Sequence, residues 1–188
     1  MEILRDLITG KPVSEYEDEP IRQDTEARLL ELGYAREQIQ VDPTRQVELE
    51  GKPQTIRADL LVSRQGRPAL VLRCARGSMV TRHNEVLATA RALCDPWVPL
   101  ALVTNRYDAH LLDTKSGRLL AQGLEAIPGP AELDRLLADI PPHHPTSREL
   151  ERAVRVYLAL EALQGECGHR CRIQAELQAL EEAEKQGD

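Results

Sequence analysis

Cys167, His169 and Cys171 fall at alternate positions of the run Cys-Gly-His-Arg-Cys and offer two thiolates and an imidazole. Such ligands suit tetrahedral Zn²⁺, but a closed structural site takes four. Glu166, His143, His144 or a neighbouring chain are the available fourth donors. Reduced cysteines at helix ends, or an incidental disulfide, are the simpler reading of the same residues. Arg73 poses a different question, because it interrupts the apolar run Ala69–Cys74. On a strand it shares a face with Ala69, Val71 and Ala75. A guanidinium on a buried face needs a carboxylate, and the nearest acid expected on the paired strand is Asp59, with two charge-assisted hydrogen bonds available. The other outcome is Arg73 reaching solvent at the strand end while Asp59 caps a turn. His143-His144 lies between prolines and reads as an exposed linker. His83 and His110 have no partner visible in the sequence, and Ser78 and Ser116 lack a His/Asp context. There is no glycine-rich phosphate loop.

The elements that must hold these residues follow from periodicity. Ile21, Thr25, Leu29 and Leu32 form one helical stripe, closed by Gly33. Gln46–Glu50 alternates as a strand, Gly51-Lys52-Pro53 turns, and Thr55–Ser63 reads as one further strand. Ala69–Arg76 is apolar on both faces at its start, which suits a central strand. A helix over Thr81–Cys94 and a buried strand over Val98–Thr104 make a crossover, and hence a mixed sheet with parallel members. Ala109–Asp113 and Leu119–Gln122 form a hairpin. Helices follow over Pro128–Ile140, from Ser147 as cap to Gln164, and over Arg172–Lys185. This pattern gives an α/β protein with helices flanking a mixed sheet and a helical appendage. The expected organisation is a lead-in (1–14), the α/β domain (15–140) and a helical tail (146–188). The tail carries more apolar surface than two lone helices hide, so it should pack on the core or pair with a second copy as a homodimer.

Composition narrows the function. The 188 residues carry 24 basic and 31 acidic side chains, net −7. The charge is uneven: residues 1–50 hold 6 basic and 13 acidic groups, whereas 51–125 hold 11 and 6. A local positive field reaches about 8–10 Å before salt screens it, so the middle stretch can meet a phosphate backbone despite the net charge. Aromatic residues make up 3%, with no Phe, which argues against a base-stacking platform. No apolar run is long enough to span a membrane, and the acidic start is unlike a secretion signal. A cytoplasmic protein with reduced cysteines is expected, with Cys74 and Cys94 as small core residues.

The order of several stretches then carries a resemblance. Ile21–Gln23, Glu31–Ile39, the Arg-Ala-Asp-Leu-Leu-Val run at Arg57–Val62, Ala69–Cys74, Ala88–Leu93 and Ala101–Asn105 together resemble the N-terminal nuclease-like domain of type I restriction enzyme R subunits. That domain is a branch of the PD-(D/E)xK restriction-endonuclease-like superfamily. The resemblance covers about residues 15–125 and is nearest to stand-alone bacterial members with a cysteine-bearing helical tail.

The resemblance implies a restriction-endonuclease-like fold in which two acids hold Mg²⁺ and a lysine positions the attacking water. Carried over, the first acid is Asp59. The second acid's position holds Arg73, the lysine's holds Ala75, and a helper glutamine's holds Glu85. An acid ahead of the first helix is Glu17 or Glu19. The resemblance therefore implies a degenerate catalytic set, Asp59, Arg73 and Glu85, while the basic middle stretch offers Arg57, Arg76 and Arg82 as candidate nucleic-acid contacts. Three functions are carried forward. One is a non-hydrolytic module binding nucleic acid or a partner. The second is a metal-dependent DNA endonuclease with relocated residues, in which Asp59 and Glu85 hold Mg²⁺ and Arg73 or Arg76 replaces the lysine. The third is a regulatory or scaffold protein.

Overall fold

The computed structural model describes residues 3–14 and 18–164. Its strands are β1 (Ile3–Arg5), β2 (Pro12–Ser14), β3 (Ile39–Val41), β4 (Thr44–Leu49), β5 (Lys52–Arg57), β6 (Leu60–Arg64), β7 (Arg67–Cys74), β8 (Leu100–Thr104), β9 (Ala109–Asp113) and β10 (Leu119–Gln122). Its α-helices are α1 (Glu19–Glu31), α2 (Met79–Leu93), α3 (Pro130–Ala138) and α4 (Ser147–Gln164).

The main sheet has six strands in the order β10-β9-β8-β7-β6-β3. Only the β7–β8 pair within it is parallel, with α2 as the crossover between them. The mixed, helix-flanked sheet expected from the sequence is present. Alternation along the strands sorts their side chains into two layers. Leu61, Val71, Ala101, Val103 and Leu112 face α2 and α4, whereas Leu60, Leu70, Leu72, Leu100 and Leu102 face α1 and α3. This double burial is why β7 and β8 read as continuous apolar text.

The expected strand Thr55–Ser63 is two strands. Residues 39–64 form one long hairpin that bends where Asp42-Pro43 lies opposite Ala58-Asp59. The bend keeps its pairing: Asp42 N–H donates to Asp59 O (3.0 Å) and Ala58 N–H to Pro43 O (3.1 Å). Asp42 takes a left-handed φ of 48° there, and Pro43 has no N–H to continue a ladder. The outer arm, β4–β5, swings off the sheet and lays Val47 and Ile56 into the α2–α4 layer. Asp59 is left at the elbow.

Two further elements escape the periodicity. The lead-in is a short hairpin, β1–β2, and β3 is an edge strand too brief to show alternation. The cap of α4 is Thr146 rather than Ser147. Thr146 Oγ1 accepts from Glu149 N–H (3.3 Å) while Glu149 Oε2 accepts from Thr146 N–H (2.8 Å), a reciprocal capping box. Ala153, Val154 and Tyr157 of α4 are buried in the same layer as α2. The expected helix 172–185 lies outside the described residues.

Candidate functional site

The elbow presents Asp59 one residue ahead of the Leu60–Leu72 pair, opposite Arg73 on β7. After Cys74 the chain must turn sharply into α2, and Gly77 does so with φ +93°, a conformation costly for any side chain. Asn105 Nδ2 donates to Gly77 O (3.0 Å) and pins this turn to the end of β8. The first turns of α2 thereby lie over the end of β7, and Glu85 descends onto Arg73.

Arg73 is 4% exposed and fully engaged. Its Nε donates to Glu85 Oε1 (2.9 Å), with Nη2 sharing that oxygen, while Nη1 donates to Asp59 Oδ1 (3.3 Å). Nη2 also reaches Glu161 Oε1 on α4 (3.2 Å). Around this core, Asp59 Oδ2 accepts from Cys74 N–H (2.7 Å) and Glu85 Oε2 from Arg82 Nη1 (3.0 Å). Burial opposes the charge on Arg73, but Asp59, Glu85 and Glu161 outweigh it and hold its pKa well above the ordinary value. Burial likewise pushes Glu85 up, and Arg73 with Arg82 overrides it, leaving the carboxyl below its usual range. Arg73 and Glu85 are therefore both held in their charged forms.

The structure brings Asp59, Arg73 and Glu85 together, and adds Glu161, which no spacing in the sequence marks. The same strand register carries a polar row further across the sheet. Arg73 pairs with Val103, and Val103 with His110. His110 Nδ1 lies 2.7 Å from His83 Nε2 on α2, and its Nε2 lies 3.3 Å from Asp108 Oδ2. The two histidines that lacked partners in the sequence are thus each other's partners. Burial and the neighbouring His110 ring lower the pKa of His83.

A divalent ion does not fit this arrangement while Arg73 stays. Mg²⁺ demands near-octahedral oxygens at about 2.0–2.1 Å. The facing oxygens of Asp59 and Glu85 already accept from a guanidinium that keeps its proton at any working pH. Ala75, next on the same face as Arg73, is 4% exposed, and its N–H donates to Thr104 O (3.0 Å).

The remaining candidates scatter. Glu19 joins a second buried cluster on α1, where Arg22 Nη2 meets Glu19 Oε1 (2.6 Å) and Nη1 meets Asp6 and Glu26 (2.7 Å each). That cluster's Glu-x-x-Arg-x-x-x-Glu spacing was visible in the sequence as helical i, i+3 and i, i+4 neighbours. Arg76 is exposed and pairs with Asp18 (3.2 Å), Arg82 serves Glu85, and Arg57 is half-buried with its N–H on Tyr157 OH (3.1 Å). Arg106 pairs with Asp24. Acids from outside the basic stretch thus meet part of its excess. Glu17, Cys167, His169 and Cys171 lie outside the described residues.

A family model described as the type I restriction enzyme R protein N terminus matches residues 17–128. That span takes in the elbow, β7 and α2, and excludes Glu161. Comparison with curated proteins and with solved structures gives no match.

Proposed function

The chain belongs to the type I restriction enzyme R protein N-terminus family, and on that premise we propose that it is a nuclease-fold module without hydrolytic activity that binds nucleic acid or a protein partner. The observation that carries this reading is the guanidinium of Arg73, seated on Asp59 and Glu85 with Ala75 where a lysine would be. A side-chain cation neutralises the carboxylates without offering the open coordination that activates water. The exposed Arg76, two residues beyond the end of β7, is the proposed contact for phosphates or an acidic partner surface, with Arg57 and Arg82 as further candidates.

Incubation with plasmid DNA and Mg²⁺ or Mn²⁺ tests the reading. No cleavage is expected. Cleavage that needs the metal and disappears in Asp59→Ala would sink it and favour the endonuclease alternative, whose support is the meeting of Asp59, Glu85 and Glu161 at one point. A salt titration then separates the two kinds of partner. DNA affinity falling steeply with salt, and weakened by Arg76→Ala, marks nucleic acid; no measurable DNA binding marks a protein partner. The scaffold reading draws on the packing of α4 against α2. Zn²⁺ at Cys167, His169 and Cys171 and a homodimer through the C-terminal helices remain proposals, checked by metal analysis and sedimentation of the full chain. Among the described residues no helix is long and apolar enough to cross a membrane.

A further inference from the structure

Toward the opposite end of β7 from Arg73, about 13–20 Å away along the strand, the molecule holds a cavity of about 700 Å³. It lies between the β6–β7 turn, the segment before β8 and the chain leaving α3. Its size falls within the roughly 300–1,000 Å³ range of small-molecule sites.

The walls specify a chemistry. Pro68, Pro99, Leu137 and Ile140 make them largely aliphatic. Trp97 is also in the wall, but its indole is already contacted by the His143 ring, with centroids 4.1 Å apart, and by the Arg91 guanidinium at 5.6 Å. The site therefore offers apolar burial more than a free face for stacking a nucleobase. The rim is cationic. Arg64 is neutralised by Asp134 (2.6 Å), whereas Arg67 and Lys115 are exposed and have no ion pair among the described residues. Two wall residues also hold buried polar atoms that no described residue satisfies, Trp97 Nε1 and Thr114 Oγ1.

We propose that this cavity binds a small aliphatic anion, its chain against the proline, leucine and isoleucine walls and its carboxylate between Arg67 and Lys115. The site is separate from the Arg73 cluster and does not depend on the reading of that cluster.

Trp97 is the only tryptophan, so its fluorescence reports on the cavity directly. The 188-residue chain is titrated with decanoate, below its micelle concentration, and with decanol. Both should change the emission saturably, decanoate at the lower concentration. The double variant Arg67→Ala/Lys115→Ala should weaken decanoate by about tenfold and leave decanol unchanged. Both substituted side chains are exposed, so an unaltered circular dichroism spectrum is expected. The proposal fails if decanoate leaves Trp97 emission unmoved, if the double variant binds decanoate as well as the parent, or if decanol is weakened equally.

Discussion

Arg22 and Arg73 are both 4% exposed and each meets three carboxylates, yet they are assembled in opposite ways. Two of Arg22's partners, Glu19 and Glu26, are on its own helix, and the third, Asp6, comes from the β1–β2 turn. None of Arg73's partners is nearer than twelve residues, and they come from the hairpin elbow, α2 and α4. The first cluster staples a hairpin to one helix. The second exists only when the sheet and both covering helices are in place.

Their protonation differs accordingly. Glu26 is wholly buried beside Asp6 and Glu19; burial first, then those two carboxylates, push it up to about 8 against the pull of Arg22. Its contribution to stability is full below its ordinary value of 4.5 and is lost as pH rises toward about 8. Glu85 is held below its ordinary 4.5 by Arg73 and Arg82 despite burial. Its contribution is present above that value and is lost as pH falls through the lowered one. Glu26 thus weakens the fold toward alkali and Glu85 weakens it toward acid.

Removing the guanidiniums sharpens the contrast most. Arg73→Met strands buried carboxylates from separate elements and should cost about 3–5 kcal/mol in urea unfolding; a loss below about 1 kcal/mol would show the cluster to be less buried than described. Arg22→Met should cost less, about 1.5–3 kcal/mol, because Glu26, raised to about 8, is already mostly protonated at neutrality and is not stranded as a charge. Its signature is local: the amides of Leu7 and Thr9 lose hydrogen-exchange protection while β7 and β8 keep theirs. Glu26→Gln should flatten the fall of stability between pH 5 and 8, which for the parent is at most about 1.4 kcal/mol per pH unit. An unchanged slope there removes Glu26 as its source. The smallest effect is Glu161→Gln, about 0.2–1 kcal/mol, since that side chain is 23% exposed; thermal unfolding should barely move.

Much of the fold could be read from pattern. The double-apolar strands β7 and β8, the crossover helix and the β9–β10 hairpin all announce themselves through periodicity and turn residues. So did the need of Arg73 for a carboxylate, and the choice of Asp59. The elbow did not, because Thr55–Ser63 alternates well enough to pass for one strand, and a bend that keeps its register leaves no mark in the pattern. The His83–His110 pair was hidden for another reason: it depends on which strand lies two places from β7, and a lone histidine carries no record of that.

The chain alone determined that a charge lies inside an apolar strand and must be answered, because leaving it unmet takes a large share of a protein's margin of stability. Which groups answer it was decided by the fold. Asp59 was within reach of a pairing argument, since antiparallel register follows from local chain order. Glu85 over Arg73 needed the turn at Gly77, and Glu161 needed α4 to pack on α2 rather than elsewhere. Those contacts depend on how layers stack, a property of the whole molecule's burial that no short window of residues contains.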